Sequence, residues 1–170
     1  QYTLIEAPNM QSNSRKYLMS GTPRVEVVQY GTNYSNLDDL DTDITYTKEK
    51  DTHNFHVNTH LVDIDQQTPI QGSIPVSMDY IYSKQGVTIK MDHCPYSAYM
   101  VLPVIASPSD VTEVGSKNMR IRKENGTLEI SCVNGHLKVA PTDADGRIFN
   151  PVPGFSFIPL QVFPESPSKK

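Results

Sequence analysis

The stretch that decides the fold class is residues 119–139, which reads MRIRKENGTLEISCVNGHLKV. It holds two Asn-Gly pairs, at positions 125–126 and 134–135, and each pair separates runs in which apolar and polar residues alternate. An Asn-Gly pair in this setting is the strongest short-range signal for a β-hairpin, because a type I′ turn requires positive φ at both central residues. The stretch therefore predicts a three-stranded antiparallel meander with two type I′ turns.

The two predicted turns give registers that agree with each other. The first turn sets three pairs of residues opposite one another: Ile121 with Ile130, Met119 with Cys132, and Arg122 with Glu129. The second turn adds two further pairs: Cys132 with Leu137, and Ile130 with Val139. Nearly all the apolar residues then share one face, and Val133 is the exception. Because a slip of one residue would scatter this set over both faces, the pattern predicts a sheet with one buried and one solvated face.

Short alternating runs recur through the rest of the chain, and none has a helical period longer than about two turns. We expect further strands at residues 24–30, 44–47, 53–64, 74–82, 87–91 and 98–105. A hairpin is expected at residues 83–86, and a loop at 107–117 with one helical turn capped by Ser109. Tyr80 and Tyr82 share the apolar side of their run, so we expect both in the core. Many short strands with little helix predict an all-β fold, an antiparallel two-sheet β-sandwich of which the jelly roll is one version.

The two ends of the chain differ from the middle. Residues 1–23 are predicted to form an N-terminal arm, residues 24–148 the β-sandwich domain, and residues 149–170 an extended C-terminal strap. The last segment holds five of the thirteen prolines, which argues against a central strand. It also holds four of the five phenylalanines, which argues against a solvated linker. The strap is therefore expected to cover a hydrophobic groove, which belongs either to this chain or to a partner.

Aromatic residues near the surface are the candidates for binding. They are Phe155, Phe157 and Phe163 in the strap, and Tyr96, which stands between two turn-forming residues. A tyrosine or phenylalanine ring offers contact area to a protein or a sugar, and the tyrosine hydroxyl adds a polar group.

Charge and hydropathy exclude two classes of partner. The formal net charge is −4 and the isoelectric point about 5.7, whereas nucleic-acid surfaces need clustered cations. Some of five neighbouring basic residues are predicted to share the outer face of the meander, as a small patch or simply as a solvated face: Lys117, Arg120, Arg122, Lys123 and Lys138. No apolar run reaches the ~18 residues of a membrane helix, so no membrane span is predicted.

The two cysteines, Cys94 and Cys132, are too few for a disulfide scaffold. Cys132 lies on the apolar face of the predicted meander, so we expect a buried free thiol, with a bridge to Cys94 as the alternative. The sequence has no nucleophile elbow, phosphate-binding loop or zinc-protease helix, and we therefore predict no catalytic residues and no cofactor other than calcium.

Calcium is the metal that the sequence can accommodate. Four carboxylates cluster in one polar loop, those of Asp38, Asp39, Asp41 and Asp43. An EF-hand is excluded because Ile44 stands where glycine is needed and Lys50 where glutamate is needed, which leaves a looser loop site. A zinc pair is not expected from His56 and His60, because four residues along a strand span ~13 Å.

Two non-enzymatic hypotheses lead, and a hydrolase or lyase fragment is a third, for which the sequence offers no complete catalytic set. Extended arms on a compact β core favour a subunit that assembles with itself or with a protein partner, such as a processed viral coat or spike protein. A chain that begins with Gln1 rather than methionine fits processing from a precursor. The alternative is a carbohydrate- or cell-surface-binding domain of a larger secreted protein, with calcium as a possible aid. Either hypothesis places the chain outside the cell, on a surface or in a viral particle.

Overall fold

The computed structural model describes residues 22–93, 97–107, 109–140 and 156–165. Within this part the chain forms twelve β-strands and one short 3-10 turn, Asn36–Asp38, and all the strand pairs with a described register are antiparallel. The strands are β1 (Arg24–Gln29), β2 (Thr32–Ser35), β3 (Asp43–Glu49), β4 (Thr52–His60), β5 (Pro75–Ser83), β6 (Gly86–His93), β7 (Tyr99–Ala106), β8 (Val111–Val114), β9 (Asn118–Lys123), β10 (Gly126–Ser131), β11 (Gly135–Val139) and β12 (Ser156–Pro164). The predicted all-β, antiparallel fold class is confirmed.

The strands belong to two compact units. Val25–Tyr99 forms one unit, and the described parts of Gln1–Arg24 and Met100–Lys170 form the other.

The unit that contains Met100–Lys170 is built as a sandwich. One of its sheets has the order β11-β12-β7 and the other the order β10-β9-β8. Six buried side chains from both sheets form its hydrophobic core: Val104, Ala106, Met119, Ile121, Leu137 and Leu160. Apolar residues from facing sheets therefore exclude water together, which is the main stabilising term in such a unit.

The hairpin of β9 and β10 is present, but its register differs from the predicted one by two residues. Ile121 lies opposite Leu128 and Met119 opposite Ile130, because the loop is Glu124-Asn125 and Gly126 already pairs with Lys123. Among the described residues neither Glu124 nor Asn125 has positive φ, so the predicted type I′ turn is wrong. A shift of two residues keeps each side chain on its predicted face, and Met119 and Ile121 are accordingly buried.

The second predicted hairpin does not form. β10 pairs with β9, whereas β11 leaves for the other sheet and pairs with β12, with Leu137 opposite Val162. The central strand of the three-stranded sheet is β9, because β8 pairs with its second edge, whereas β10, which was predicted to be central, lies at the edge of the sheet. Leu137 still reaches the core, but it does so from the facing sheet. Val139, predicted to face Ile130, is partly exposed instead.

The segment predicted to be a loop with a helical turn is a strand. β8 follows Ser107, whose backbone N–H donates to Asp110 Oδ2 at 2.8 Å and closes a tight turn before the strand. Glu113 in β8 then lies opposite Arg120. Pairing with β9 thus overrode the local helical preference of this segment.

Part of the proline-rich tail is also a strand, contrary to the expectation that its prolines exclude a central position. β12 lies between β7 and β11, and Pro159 stands directly opposite Pro103. Neither proline can donate a backbone hydrogen bond, so the two meet where neither strand needs a donor. The carbonyl of Pro159 points to the other side and accepts a bond from the Ala140 N–H at 2.9 Å.

The Val25–Tyr99 unit consists of the β1–β2 hairpin and a four-stranded meander with the order β3-β4-β5-β6. The predicted turn at residues 83–86 is confirmed, since Ser83 pairs with Gly86. The hairpin and the meander are joined where Ser35 and Val62 exchange backbone hydrogen bonds of 2.8 and 3.3 Å.

Candidate functional site: an exposed aromatic face

The register of the meander collects aromatic side chains from three strands on one face of the sheet. Tyr46 of β3 lies opposite Phe55 of β4, and Phe55 lies opposite Tyr80 of β5. His53 of β4 lies opposite Tyr82 of β5. Because alternate residues of a strand point to the same side, all five rings are directed to one face, which we call the aromatic face.

Four rings of the aromatic face form a connected set of contacts. The centroids of Tyr46 and Phe55 are 5.0 Å apart, and those of Phe55 and Tyr82 are 5.8 Å apart in an edge-to-face arrangement. Tyr46 also stacks on His53 at 6.0 Å, and its hydroxyl oxygen lies 2.7 Å from His53 Nδ1. Such contacts restrict the rotation of each ring, so the face presents a preformed aromatic surface.

This surface is open to solvent. Tyr46 is 51% exposed, Phe55 38% and Tyr82 39%. Ile44 and Val87 lie on the same face and are also exposed. The expectation that Tyr82 belongs to the core is therefore wrong, and Tyr80 is only half-buried. Contiguous exposed apolar side chains of this kind mark binding surfaces.

The charges of the sheet are divided between its two sides. By strand alternation Lys48 lies on the aromatic face, whereas the acidic residues of β3 to β6 lie on the opposite side: Asp43, Glu49, Asp79 and Asp92. The aromatic face thus combines rings, aliphatic groups and a cation without a carboxylate from these strands.

The opposite side of the sheet carries a polar cluster around Asp79. Its Oδ1 accepts a hydrogen bond from Asn54 Nδ2 at 2.9 Å and lies 3.0 Å from His56 Nδ1. The hydrogen bond from Asn54, together with the contact to His56, outweighs burial and lowers the pKa of Asp79. The Asp79 carboxyl is therefore held in its ionised form.

One carboxylate of the acidic loop that was predicted to bind calcium instead forms hydrogen bonds to the end of β4. Among its four residues, Asp38, Asp39, Asp41 and Asp43, no three bring their carboxylate oxygens within 4.8 Å of one another. Asp39 Oδ2 instead accepts bonds from the Thr59 hydroxyl and the His60 N–H, both at 2.7 Å. Burial alone would raise the pKa of Asp39, but these bonds and one from the Asp41 N–H lower it. Asp39 thus fastens the loop to the end of β4.

The predicted binding residues are not brought together within the described part of the chain. Tyr96 and Phe155 lie outside the described residues. Phe157 pairs with Ile105 in the sheet through its backbone. Phe163 is half-buried and stacks on His136, with ring centroids 5.0 Å apart.

The predicted basic patch is largely neutralised by neighbouring carboxylates. Four ion pairs account for this: Lys117 with Glu165, Arg120 with Glu129, Arg122 with Glu113, and Lys123 with Asp110. The outer face of β8 to β10 is thus a solvated, charge-balanced surface. Cys132 is a free thiol, half-buried rather than buried, and desolvation raises its pKa.

Comparison with known proteins identifies the family. The model of the ulvan lyase C-terminal domain matches residues 1–170, which is the whole sequence. The chain belongs to this family. A broad-specificity ulvan lyase from Formosa agariphila is 27% identical over 174 residues, an alignment that covers 99% of this chain and 27% of that enzyme. The chain thus spans about a quarter of the length of this curated relative. No solved structure matches.

Membership in the ulvan lyase C-terminal domain family bears on the two non-enzymatic hypotheses. It favours a carbohydrate-associated β domain over a viral coat or spike subunit, which no comparison supports. In the described residues, no helix is long and apolar enough to cross a membrane.

Proposed function

We propose that this chain is a non-catalytic carbohydrate-binding domain that acts beside the catalytic domain of an extracellular ulvan lyase. Three contacting, partly exposed rings on one sheet face carry the proposal: those of Tyr46, Phe55 and Tyr82. Family membership supports ulvan as the ligand of this proposal, since the relative is named for its action on ulvan.

The chemistry of the aromatic face suits a sugar chain. The C–H side of a sugar ring packs on an aromatic ring, and the tyrosine hydroxyls supply hydrogen bonds at its edge. Lys48 adds a cation that favours an acidic sugar. The face is open, as a domain that holds a long polymer requires, whereas small-molecule sites are enclosed clefts. Under this proposal a separate domain cleaves the polymer.

The test measures the affinity of the purified chain for ulvan oligosaccharides by isothermal titration calorimetry. Tyr46→Ala should weaken binding about tenfold, because one lost stacking contact is worth about 1.4 kcal/mol. Tyr46 is half-exposed, so the fold should be kept, and circular dichroism checks this.

The matched control is Tyr30→Asn. Tyr30 is another exposed tyrosine, but it lies in the β1–β2 turn with φ 50, a conformation that asparagine tolerates. The affinity of Tyr30→Asn for ulvan oligosaccharides should equal that of the unchanged chain. Failure of the unchanged chain to bind ulvan, or equal losses in both variants, would refute the aromatic face as the binding surface.

A further inference from the structure

Three neighbouring strands bring metal-ligating atoms together on the side of the meander opposite the aromatic face. His56 of β4, Asp79 of β5 and Asp92 of β6 each offer one ligand atom, and these atoms all lie within 4.8 Å of one another. His56 lies directly opposite Asp79 in the register. The set is thus assembled across strands, where neighbours are about 5 Å apart, and not along one strand.

A β-bulge brings the third residue into the set. The register of β5 and β6 shifts between Ser77 and Met78, so Ser77 pairs with His93 and Met78 with Met91. Asp92 is the extra residue between these two pairs. Bulges redirect side chains next to functional sites, and this one places the Asp92 carboxylate within 4.8 Å of that of Asp79.

The two carboxylates form an arrangement that a cation would stabilise. Like charges in contact repel each other when both are ionised. In the described residues no lysine or arginine forms an ion pair with Asp79 or Asp92, although Lys90 stands opposite Asp79 in the register. The described polar contact between Asp79 and His56 in this set joins Oδ1 and Nδ1 at 3.0 Å.

Asn54 lies beside the set and carries a further oxygen that could act as a ligand. Its Nδ2 touches Asp79, whereas its Oδ1 is buried and has no hydrogen-bond partner. Such an unpaired buried oxygen is costly. Rotation of the amide by 180° exchanges the two atoms: the oxygen would then face the carboxylates and could coordinate a cation, while the nitrogen would take the buried position.

We propose that His56, Asp79 and Asp92 bind a divalent transition-metal ion, with the Asn54 amide oxygen as a further ligand. One imidazole nitrogen with carboxylate oxygens suits Zn²⁺ and Mn²⁺, whereas Ca²⁺ takes six to eight oxygens. Asp92 is exposed, so a coordination position remains open to solvent. The metal would bind the imidazole nitrogen that faces Asp79 and displace any proton on it, because a ligating histidine is neutral.

The test titrates the metal-free chain with ZnCl₂ by calorimetry. One ion per chain should bind. Loss of an outer-sphere partner alone costs about 10- to 100-fold in metal affinity, so the loss of a ligand in Asp92→Asn should weaken binding at least about tenfold. Mn²⁺ should selectively broaden the His56 ring signals in histidine NMR spectra, because the ion is paramagnetic.

His60→Gln is the matched control. His60 is on the same strand and also lies near an aspartate, Asp39, at 3.6 Å, but it is outside the proposed set. The Zn²⁺ affinity of the His60→Gln variant should equal that of the unchanged chain. The proposal is overturned if no stoichiometric binding occurs, if Asp92→Asn binds like the unchanged chain, or if Mn²⁺ leaves the His56 signals sharp. No carbohydrate is needed, so the result is separate from that for the aromatic face.

Discussion

At the scale of single residues, Gly135 shows how the same dipeptide can be required for different reasons. The Asn-Gly pair at positions 134–135 predicts a type I′ turn, but Gly135 does not have positive φ. A Cβ atom there would lie 2.3 Å from the backbone oxygen of Phe163. Glycine is therefore needed because β12 approaches closely. Positive φ at both central residues of a two-residue turn occurs instead at Tyr30-Gly31, where φ is 50 and 80.

We expect Gly135→Ala to lower the stability of the protein by about 1–3 kcal/mol, because the backbone of β12 must move to admit the methyl group. Thermal and urea unfolding would measure the loss. Gly115→Ala is the control: its Cβ would meet the movable side chain of Asn118 at 3.0 Å. Equal stability of the two variants would show that β12 does not pack this closely on Gly135.

At the scale of elements, alternation predicted faces better than partners. Met119, Ile121 and Leu137 all reach the core as their period of two requires. The partner of each strand was predicted from turn residues, and this failed at β11, because pairing with β12 depends on residues more than twenty positions away. The local sequence around β11 has no signal that would predict such a long-range pairing. The prolines of β12 led to a wrong prediction for the same reason: the free-energy cost of a proline in a sheet depends on which residue of the neighbouring strand faces it.

The sheet of β8, β9 and β10 should depend on its central strand. Ile121 of β9 is fully buried, whereas Leu128, opposite it on the edge strand β10, is 41% exposed. Ile121→Ala should therefore cost about 2–5 kcal/mol, from lost apolar contact and the cavity left behind. Leu128→Ala, of similar size, should cost less than about 1.5 kcal/mol. Chemical denaturation compares the two, and a larger loss in Leu128→Ala would mean that the described register is wrong.

At the scale of the whole molecule, the sequence predicted the fold class but not the candidate sites. Tyr80 and Tyr82 were placed on the correct side of their strand, yet alternation cannot tell whether that side is covered. The polar cluster was missed because His56 was compared with His60 along one strand, while its neighbours Asp79 and Asp92 come from two other strands. The predicted hairpin at residues 83–86 joins β5 to β6, but the bulge at Asp92 has no signal in the sequence.

The meander thus presents two chemically different sides, and we expect them to work independently. Phe55 and His56 are adjacent in β4, so their side chains point to opposite faces of one sheet. Phe55→Ala should weaken ulvan binding about tenfold and leave Zn²⁺ affinity unchanged. Asp92→Asn should weaken Zn²⁺ binding at least about tenfold and leave ulvan affinity unchanged. Calorimetry with each ligand on both variants provides the four measurements. If Asp92→Asn weakened ulvan binding as much as Phe55→Ala does, the sugar chain would contact the metal side, and the sheet would have to be treated as one composite site.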